Sequence, residues 1–316
     1  MAFTITTWNI QNYRKADPVY ADKLTYLVHA LKALNSDVIA LQEVLDLEAV
    51  KELAAGIGFS YVAAQPDGRG NRVAFLTRNA LAQEPEAIDQ WMLAPGVQVR
   101  DFAANGTVEV LPKFSRPAFH ITVSYGGKNI DVIAAHLKSK LLTFGGNFST
   151  KDETLRARTA FFALERRAAE ATTLRDFVTD LLKTNRNVIL LGDLNDGSEA
   201  ATTELLYGPP GSQPRGPEDA TQVSGAFQRE DAQDKQRLFN VTKFIPEAAR
   251  WSRRHNGQNE LLDHILVSQG LLPRVNGLRR VPTMRIDNAD TPNLAGSDPN
   301  VGGVLPDHAP VTAIFA

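Results

Sequence analysis

Several polar clusters interrupt otherwise apolar stretches of this chain: Asn9 in TWNIQN, Glu43 in ALQEV, His136 in AAHLKSK, Asp193 and Asn195 in LLGDLND, Asp263 in LLDHIL, and Asp307-His308 in LPDHAP. Each sits where a run of strand-forming residues begins or ends. Polar groups at the tips of buried strands need partners, because an unpaired buried charge is costly. Carboxylates, carboxamides and histidines at such places supply the ligands of a hard, oxygen-bound cation together with acid–base partners. Taken singly, each has a plainer explanation. Asn9 would tie down a turn, Glu43 would cap the following helix, and Gly-Asp-Leu-Asn-Asp is a common turn. The combination is what points to chemistry.

The elements that must position these residues alternate along the whole chain. Phe3 to Trp8 reads as a strand, and Leu24, Leu27, Val28, Leu31 and Leu34 then recur at helical spacing until Asn35-Ser36 closes the segment. Val38-Ile39-Ala40-Leu41 is a continuous apolar run of the kind a strand buried on both faces shows. Val73 to Thr77, Ala118 to Ser124 and Ile130 to Ala135 are further strands, and Tyr125-Gly126-Gly127-Lys128 is a hairpin turn signal. Asp152 to Lys183 keeps a helical period, followed by strands at Val188–Leu191, Leu261–Val267 and Pro310–Phe315. Gly208 to Asp219 and Asp287 to Pro306 are rich in Gly, Pro, Asn and Asp and read as surface excursions. With strands and helices interspersed and no linker between them, residues 1–316 are expected to form one α/β domain.

Composition narrows the function. The chain has 316 residues, 43% of them hydrophobic, which is enough to bury a large core without covalent staples. The net charge of −2 excludes a globally basic coat for nucleic acid, though not a locally basic groove. The absence of cysteine removes disulfides, thiolate zinc sites and cysteine nucleophiles. No apolar run reaches the roughly 18 residues that would span a membrane. MAFTITTWNI lacks the basic and apolar regions of a secretory signal, so a cytoplasmic location is expected, or a secreted one if the chain has been trimmed.

From TWNIQN to PDHAP, with the motifs in the family's order, the sequence resembles the endonuclease/exonuclease/phosphatase superfamily, the deoxyribonuclease-like phosphoesterases. The resemblance implies a four-layer α/β sandwich, two mixed β-sheets packed face to face with helices outside. It implies that Glu43 is the main Mg²⁺ ligand with Asn9 beside it, and that Asp307 is a direct or supporting metal residue. Mn²⁺ or Ca²⁺ would suit the same oxygen ligands. Asp193 and Asn195 would be the pair that positions the attacking water, with Asn195 also touching substrate, and the base that deprotonates that water is left open between this pair and the histidines. Asp263 is similar to the carboxylate that accepts a hydrogen bond from His308, and His136 resembles a second active-site histidine that also touches substrate. One departure stands out: where the deoxyribonuclease pattern has a Glu supporting the second histidine, this chain has Asn71. An amide cannot stabilise an imidazolium as a carboxylate does, so the acid role of His136 is in question.

Around these motifs, Arg116 in KFSRPAF is the best candidate for a substrate phosphate, with Lys138 and Lys140 as weaker ones. Arg250, Trp251, Arg253 and Arg254 interleave charge and aromatic surface, which suits backbone contact with base stacking or a plain exposed loop. His29 and His120 read as structural, His264 as packing because it alternates with Asp263, and His255 is undecided.

The expected function is Mg²⁺-dependent hydrolysis of phosphodiester bonds in nucleic acid. HLKSK with LLDHIL is most similar to the bacterial nucleases of the superfamily. The alternative is a small-molecule or lipid-headgroup phosphoesterase using the same residues. A catalytically dead binding module would be expected to have lost Glu43, Asp193 or His308, and all three are present. No protein partner is implied.

Overall fold

In the run Val38-Ile39-Ala40-Leu41, successive side chains enter different cores: Val38 and Ala40 join one cluster, Ile39 and Leu41 another. Val188-Ile189-Leu190-Leu191 does the same, with Ile189 and Leu191 in the cluster of Val38 and Ala40 and its other two residues in a third. Strand side chains alternate between faces, so two strands buried on both faces require helices on each outer side and a shared core in the middle. The computed structural model has that arrangement. It describes residues 2–102, 107–114, 116–144, 147–207, 234–272, 274–275, 278–279, 281–294 and 303–316.

The first sheet contains β1 (Phe3–Tyr13), β2 (Val38–Val44), β3 (Ser60–Ala63), β4 (Arg72–Thr77), β11 (Thr283–Ile286) and β12 (Val311–Phe315), in the order β11-β12-β1-β2-β4-β3. The second contains β5 (Glu86–Ile88), β6 (Ala118–Tyr125), β7 (Lys128–His136), β8 (Asn187–Asp193), β9 (Leu238–Asn240) and β10 (Asp263–Ser268), in the order β9-β10-β8-β7-β6-β5. Both are mixed: β1 runs parallel to β2 and antiparallel to β12, and β8 runs parallel to β7 and antiparallel to β10. Helices α1 (Tyr20–Leu34) and α2 (Leu47–Ile57) cover the outer face of the first sheet through Leu27, Leu31, Val50 and Leu53. Helices α3 (Glu153–Lys183) and α4 (Ala201–Tyr207) cover the second through Leu174, Val178, Leu182 and Leu206. The four layers and two mixed sheets are those expected from the sequence.

Local chemistry sets the boundaries. Asn35 ends α1 in the left-handed conformation, and the Asp46 side chain caps α2 by accepting from Glu48 N. Asp152 caps α3 by accepting from Leu155 N. Gly126 and Gly127 both have positive φ, as a two-residue hairpin turn requires, and they join β6 to β7. Two sequence expectations are corrected. The strand expected to end at Trp8 continues to Tyr13, through a register irregularity made by left-handed Gln11 and Asn12. The stretch from Asp287 to Pro306 is not wholly an excursion, since Asn293 and Leu294 pair in parallel with Arg254 and His255. The Gly208–Asp219 segment lies outside the described residues. No helix among the described residues is long and apolar enough to cross a membrane.

One glycine is fixed by close approach. Gly192, next to Asp193, has φ +138°, and a Cβ there would lie 1.9 Å from the Ala135 carbonyl oxygen. No side chain fits, so β8 and β7 would have to separate. Gly192→Ala is expected to lower the unfolding free energy by about 3 kcal/mol or more; a loss under about 1 kcal/mol in urea titration would contradict this packing.

Candidate active site

Strand register assembles most of the site. Asp193, the last residue of β8, pairs with His136 at the end of β7 and with Asp263 at the start of β10. Two residues inward from these three lie Leu191, Ala134 and Ile265, all in the core between the sheets. Alternation therefore turns His136, Asp193 and Asp263 towards the same side, at the rim of that core. Asn9 follows Ile5 and Thr7 with the same parity along β1 and faces them from the other sheet.

The Asn9 carboxamide ties the two sheets together. Its Nδ2 donates to Asp193 Oδ2 at 3.0 Å and to Glu43 Oε1 at 3.1 Å, while its Oδ1 accepts from Gln11 N at 3.0 Å. Glu43 is off parity with the inward-facing Ala40 and Gln42. The pairing of β1 with β2 breaks between Asn9 and Tyr13, and Glu43 itself has φ +59°. The irregularity brings its carboxylate back to Asn9 and to the Asn12 N–H, which donates to Oε2 at 3.0 Å. Of seven non-glycine residues with positive φ among those described, four are Gln11, Asn12, Glu43 and Asn195. Strain of this kind persists only where the surroundings enforce it, and here it gathers at one place.

His308 arrives on the chain entering β12. Its carbonyl accepts from Trp8 Nε1 at 2.7 Å, and its backbone bridges to Arg253. Its Nδ1 lies 2.6 Å from Asp263 Oδ2, and its Nε2 lies 3.9 Å from Asp193 Oδ2. Ser252 fixes this pair from behind: its hydroxyl accepts from the N–H groups of Leu262 and Asp263, and its carbonyl accepts from Ala309 N. On the other side His136 Nε2 lies 3.5 Å from Asp193 Oδ2. Asn195 donates Nδ2 to the Leu137 carbonyl at 3.0 Å and its backbone N–H to Asp193 Oδ1 at 2.9 Å.

Burial gives these groups unequal charge states. For His308, burial works against the imidazolium, but the carboxylates of Asp263 and Asp193 outweigh it and raise the pKa to about 10. Burial raises Asp193 to about 7, helped by the Asp263 charge and opposed by His308. His136 is pushed well below the ordinary histidine value, first by burial and then by the charges of Arg116 and His308. Among the described residues no group partners its buried Nδ1, and none partners the buried Oδ1 of Asn71. The site therefore pairs a charged histidine with a neutral one.

Other candidates from the sequence lie nearby with different engagements. Arg116 is nearly enclosed; its Nη1 donates to the His136 carbonyl at 3.2 Å and its Nε lies 3.4 Å from Asp67 Oδ2. Asp307 Oδ2 lies 3.6 Å from Arg253 Nε, beside the site rather than within the group around Asp193. Lys138 donates to the carbonyls of Ser139 and Leu141, and Lys140 pairs with Asp196 at 2.7 Å. Arg250 donates to the Ile245 carbonyl and Arg253 also pairs with Glu260. His264 is fully buried between Asn240 and the Asp196 carbonyl, as packing requires, and His120 pairs with Asp131.

Two sets of residues could hold a cation. Asp193, Asp263 and His308 offer atoms within 4.8 Å of one another. Glu43, partly open to solvent and accepting from Asn9 Nδ2 at one oxygen and from Asn12 N–H at the other, offers the second, beside Asp193. Buried carboxylates with an unpartnered Asp263 Oδ1 among the described residues suit a hard cation. Three residues here were not singled out from the sequence. Ser252 carries no distinguishing motif. Arg69 stands mostly exposed in the Asp-Gly-Arg-Gly turn that Asp67 organises, and that turn was a usable signal. Lys23 occupies an apolar stripe position of α1, one turn before Leu27, which was also legible.

Comparison with known proteins agrees with this architecture. No curated protein matches the chain. Truncated TDP2 from Caenorhabditis elegans has 14% identity and a TM-score of 0.57, with coverage of 100% of this chain and 98% of that one. The human Nocturnin catalytic domain, solved with a bound sulfate anion, has 14% identity and a TM-score of 0.56, covering 100% of this chain and 94% of that one. An AP endonuclease from Archaeoglobus fulgidus has 16% identity and a TM-score of 0.54, covering 99% of each chain. At such identities the likeness establishes the fold. The model of the Endonuclease/Exonuclease/phosphatase family matches residues 6–298, and the chain belongs to that family.

Proposed function

We propose that this protein is a Mg²⁺-dependent phosphodiesterase that hydrolyses nucleic acid. Members of the family are hydrolases of phosphoester bonds that depend on divalent metal. The observation that carries the finer reading is the buried Asp263–His308 pair set against Asp193, with Asn9 joining Asp193 to Glu43. A histidine must be neutral to bind a metal. Asp263 engages His308 Nδ1 at 2.6 Å and favours its charged form, so a cation there would have to displace that proton, and it is assigned instead to Glu43 and Asn9, with Asp307 supporting from beside them. Bound there, Mg²⁺ would neutralise phosphoryl charge and stabilise the leaving oxygen.

The residues divide the remaining work. Asp193 accepts a proton from the attacking water, which Asn195 orients. The water oxygen bonds to phosphorus and the bond to the leaving oxygen breaks on the opposite side. The His308 imidazolium donates to a phosphoryl oxygen and offsets the charge that accumulates there. His136, neutral and without a carboxylate behind it, acts as a polar contact to the phosphate rather than as an acid. The leaving oxygen takes its proton from solvent. Arg69, Arg116 and Lys138, whose charges all act on His136, make that side of the site attractive to a polyanion. A related fold, Danio rerio TDP2 at 16% identity, was solved with a single-strand DNA product, which supports the choice of nucleic acid over a small phosphoester.

Two outcomes test this. Glu43→Ala and His308→Ala should each lower kcat/KM on plasmid or oligonucleotide by about 10³-fold, about 4 kcal/mol, with the fold intact, and EDTA should stop the wild-type reaction. Near-normal turnover by either variant at saturating Mg²⁺ would refute the assignment. The second outcome concerns pH. His308 is charged below its raised pKa and loses its proton as pH rises through about 10. The alkaline limb of the rate profile should therefore fall near there, and Asp263→Asn should bring it down by more than about one pH unit. An alkaline limb unmoved in Asp263→Asn would show that His308 does not act as the imidazolium.

A further inference from the structure

The buried stripe of α1 reads Lys23, Leu27, Leu31 and Leu34. Lys23 is 1% exposed. Removing an ammonium from water is costly unless its partners compensate, and helix packing alone would be better served by another leucine. What Lys23 touches accounts for its place. Its Nζ donates to the Gln11 carbonyl at 2.7 Å. That carbonyl belongs to the same peptide group as the Asn12 N–H, which donates to Glu43 Oε2 at 3.0 Å. Lys23 and Glu43 therefore hold opposite ends of a single peptide plane.

That plane is strained. Gln11 and Asn12 flank it, each with φ near +50°, a backbone region that non-glycine residues sparsely populate. The Gln11 N–H is already committed to Asn9 Oδ1, so the neighbouring plane cannot turn without disturbing Asn9. A cation at the carbonyl end of a peptide also polarises its N–H and strengthens the hydrogen bond at the far end. The carboxylates whose charges act on the ammonium are Asp17, Asp307 and Glu43. Lys23 thus faces the acidic side of the site from beneath, through the backbone.

We propose that Lys23 is a positioning residue for Glu43: by gripping the Gln11–Asn12 peptide it fixes the carboxylate and so sets the affinity of the site for a divalent cation. This rests on Glu43 being a cation-binding carboxylate. Without the ammonium, Gln11 relaxes out of the left-handed region, the Asn12 N–H turns away, and Glu43 keeps only its bond to Asn9. Loss of a supporting contact of this kind lowers metal affinity 10- to 100-fold.

The test uses the full chain and Mn²⁺ alone, with binding followed by electron paramagnetic resonance in wild type, Lys23→Met and Glu43→Ala. Hydrogen exchange at the Asn12 amide is followed in parallel without metal. Lys23→Met should bind Mn²⁺ at least about tenfold more weakly and exchange the Asn12 amide faster, while the amides of β8 keep wild-type protection. A Lys23→Met protein that binds Mn²⁺ as wild type does, when Glu43→Ala binds poorly, would overturn the positioning role and leave the reading of Glu43 standing. Undiminished binding by Glu43→Ala would overturn both. A variant in which only thermal stability falls, with the Asn12 amide and Mn²⁺ binding unchanged, would reduce Lys23 to an anchor for α1 and refute the proposal. Should Lys23→Met fail to fold, Lys23→Arg, which keeps the charge, should retain wild-type binding to within a few-fold; a tenfold loss there would count against the role.

Discussion

One carboxamide joins the two halves of this molecule. The Asn9 Nδ2 group has two hydrogens, and it spends one on Glu43 in its own sheet and the other on Asp193 in the opposite sheet. Its Oδ1 meanwhile accepts from the backbone of the bulge that follows it. No other side chain of that size has two donors and an acceptor in this arrangement. An aspartate would set a third anion between two carboxylates, and an apolar residue would take one hydrogen bond from each of them. The contact is short, so the spacing of the two sheets, and hence the packing of the core between them, fixes the separation of Glu43 from Asp193.

The electrostatics follow from that geometry. Asp193 is enclosed, and burial, helped by the Asp263 charge and opposed by His308, pushes it up to about 7, so it becomes a group that can exchange protons near neutrality. His308 is enclosed as well, yet the carboxylate of Asp263 on one ring nitrogen and that of Asp193 near the other keep it charged. His136 has the reverse surroundings: cations around it and no carboxylate on its Nδ1 among the described residues. The departure at Asn71 and the neutral state of His136 are consistent with one another. Two histidines flanking one aspartate therefore differ in charge because of what stands behind each.

Much of this was legible from residue order. Alternation in Val38–Leu41 and Val188–Leu191 already demanded layers on both sides, and the same alternation placed Asp193, His136 and Asp263 on one face once their strands paired. His264 could be set aside by parity alone. Other features needed coordinates. Glu43 has the wrong parity for the site, and only a bulge with left-handed backbone corrects it. Asp67, the partner of Arg116, lies 49 residues away with no pattern linking the two. Helix α2 buries Ala49, Val50, Leu53 and Ala54, a helical spacing that residue order also shows. The stripe position of Lys23 is legible in the helical spacing, but its partner, the Gln11 carbonyl, comes from another element and shows only in the fold.

The central claim is that a divalent cation belongs on the Glu43 side of the site while His308 stays bonded to Asp263. The most direct measurement is a crystal structure of the protein soaked with Mn²⁺, located by anomalous scattering. The account predicts a single strong peak bonded to a Glu43 carboxylate oxygen, close to Asn9, with the His308 Nδ1 contact to Asp263 unbroken. A peak bonded to Asp263 and His308, with Glu43 taking no part, would contradict it.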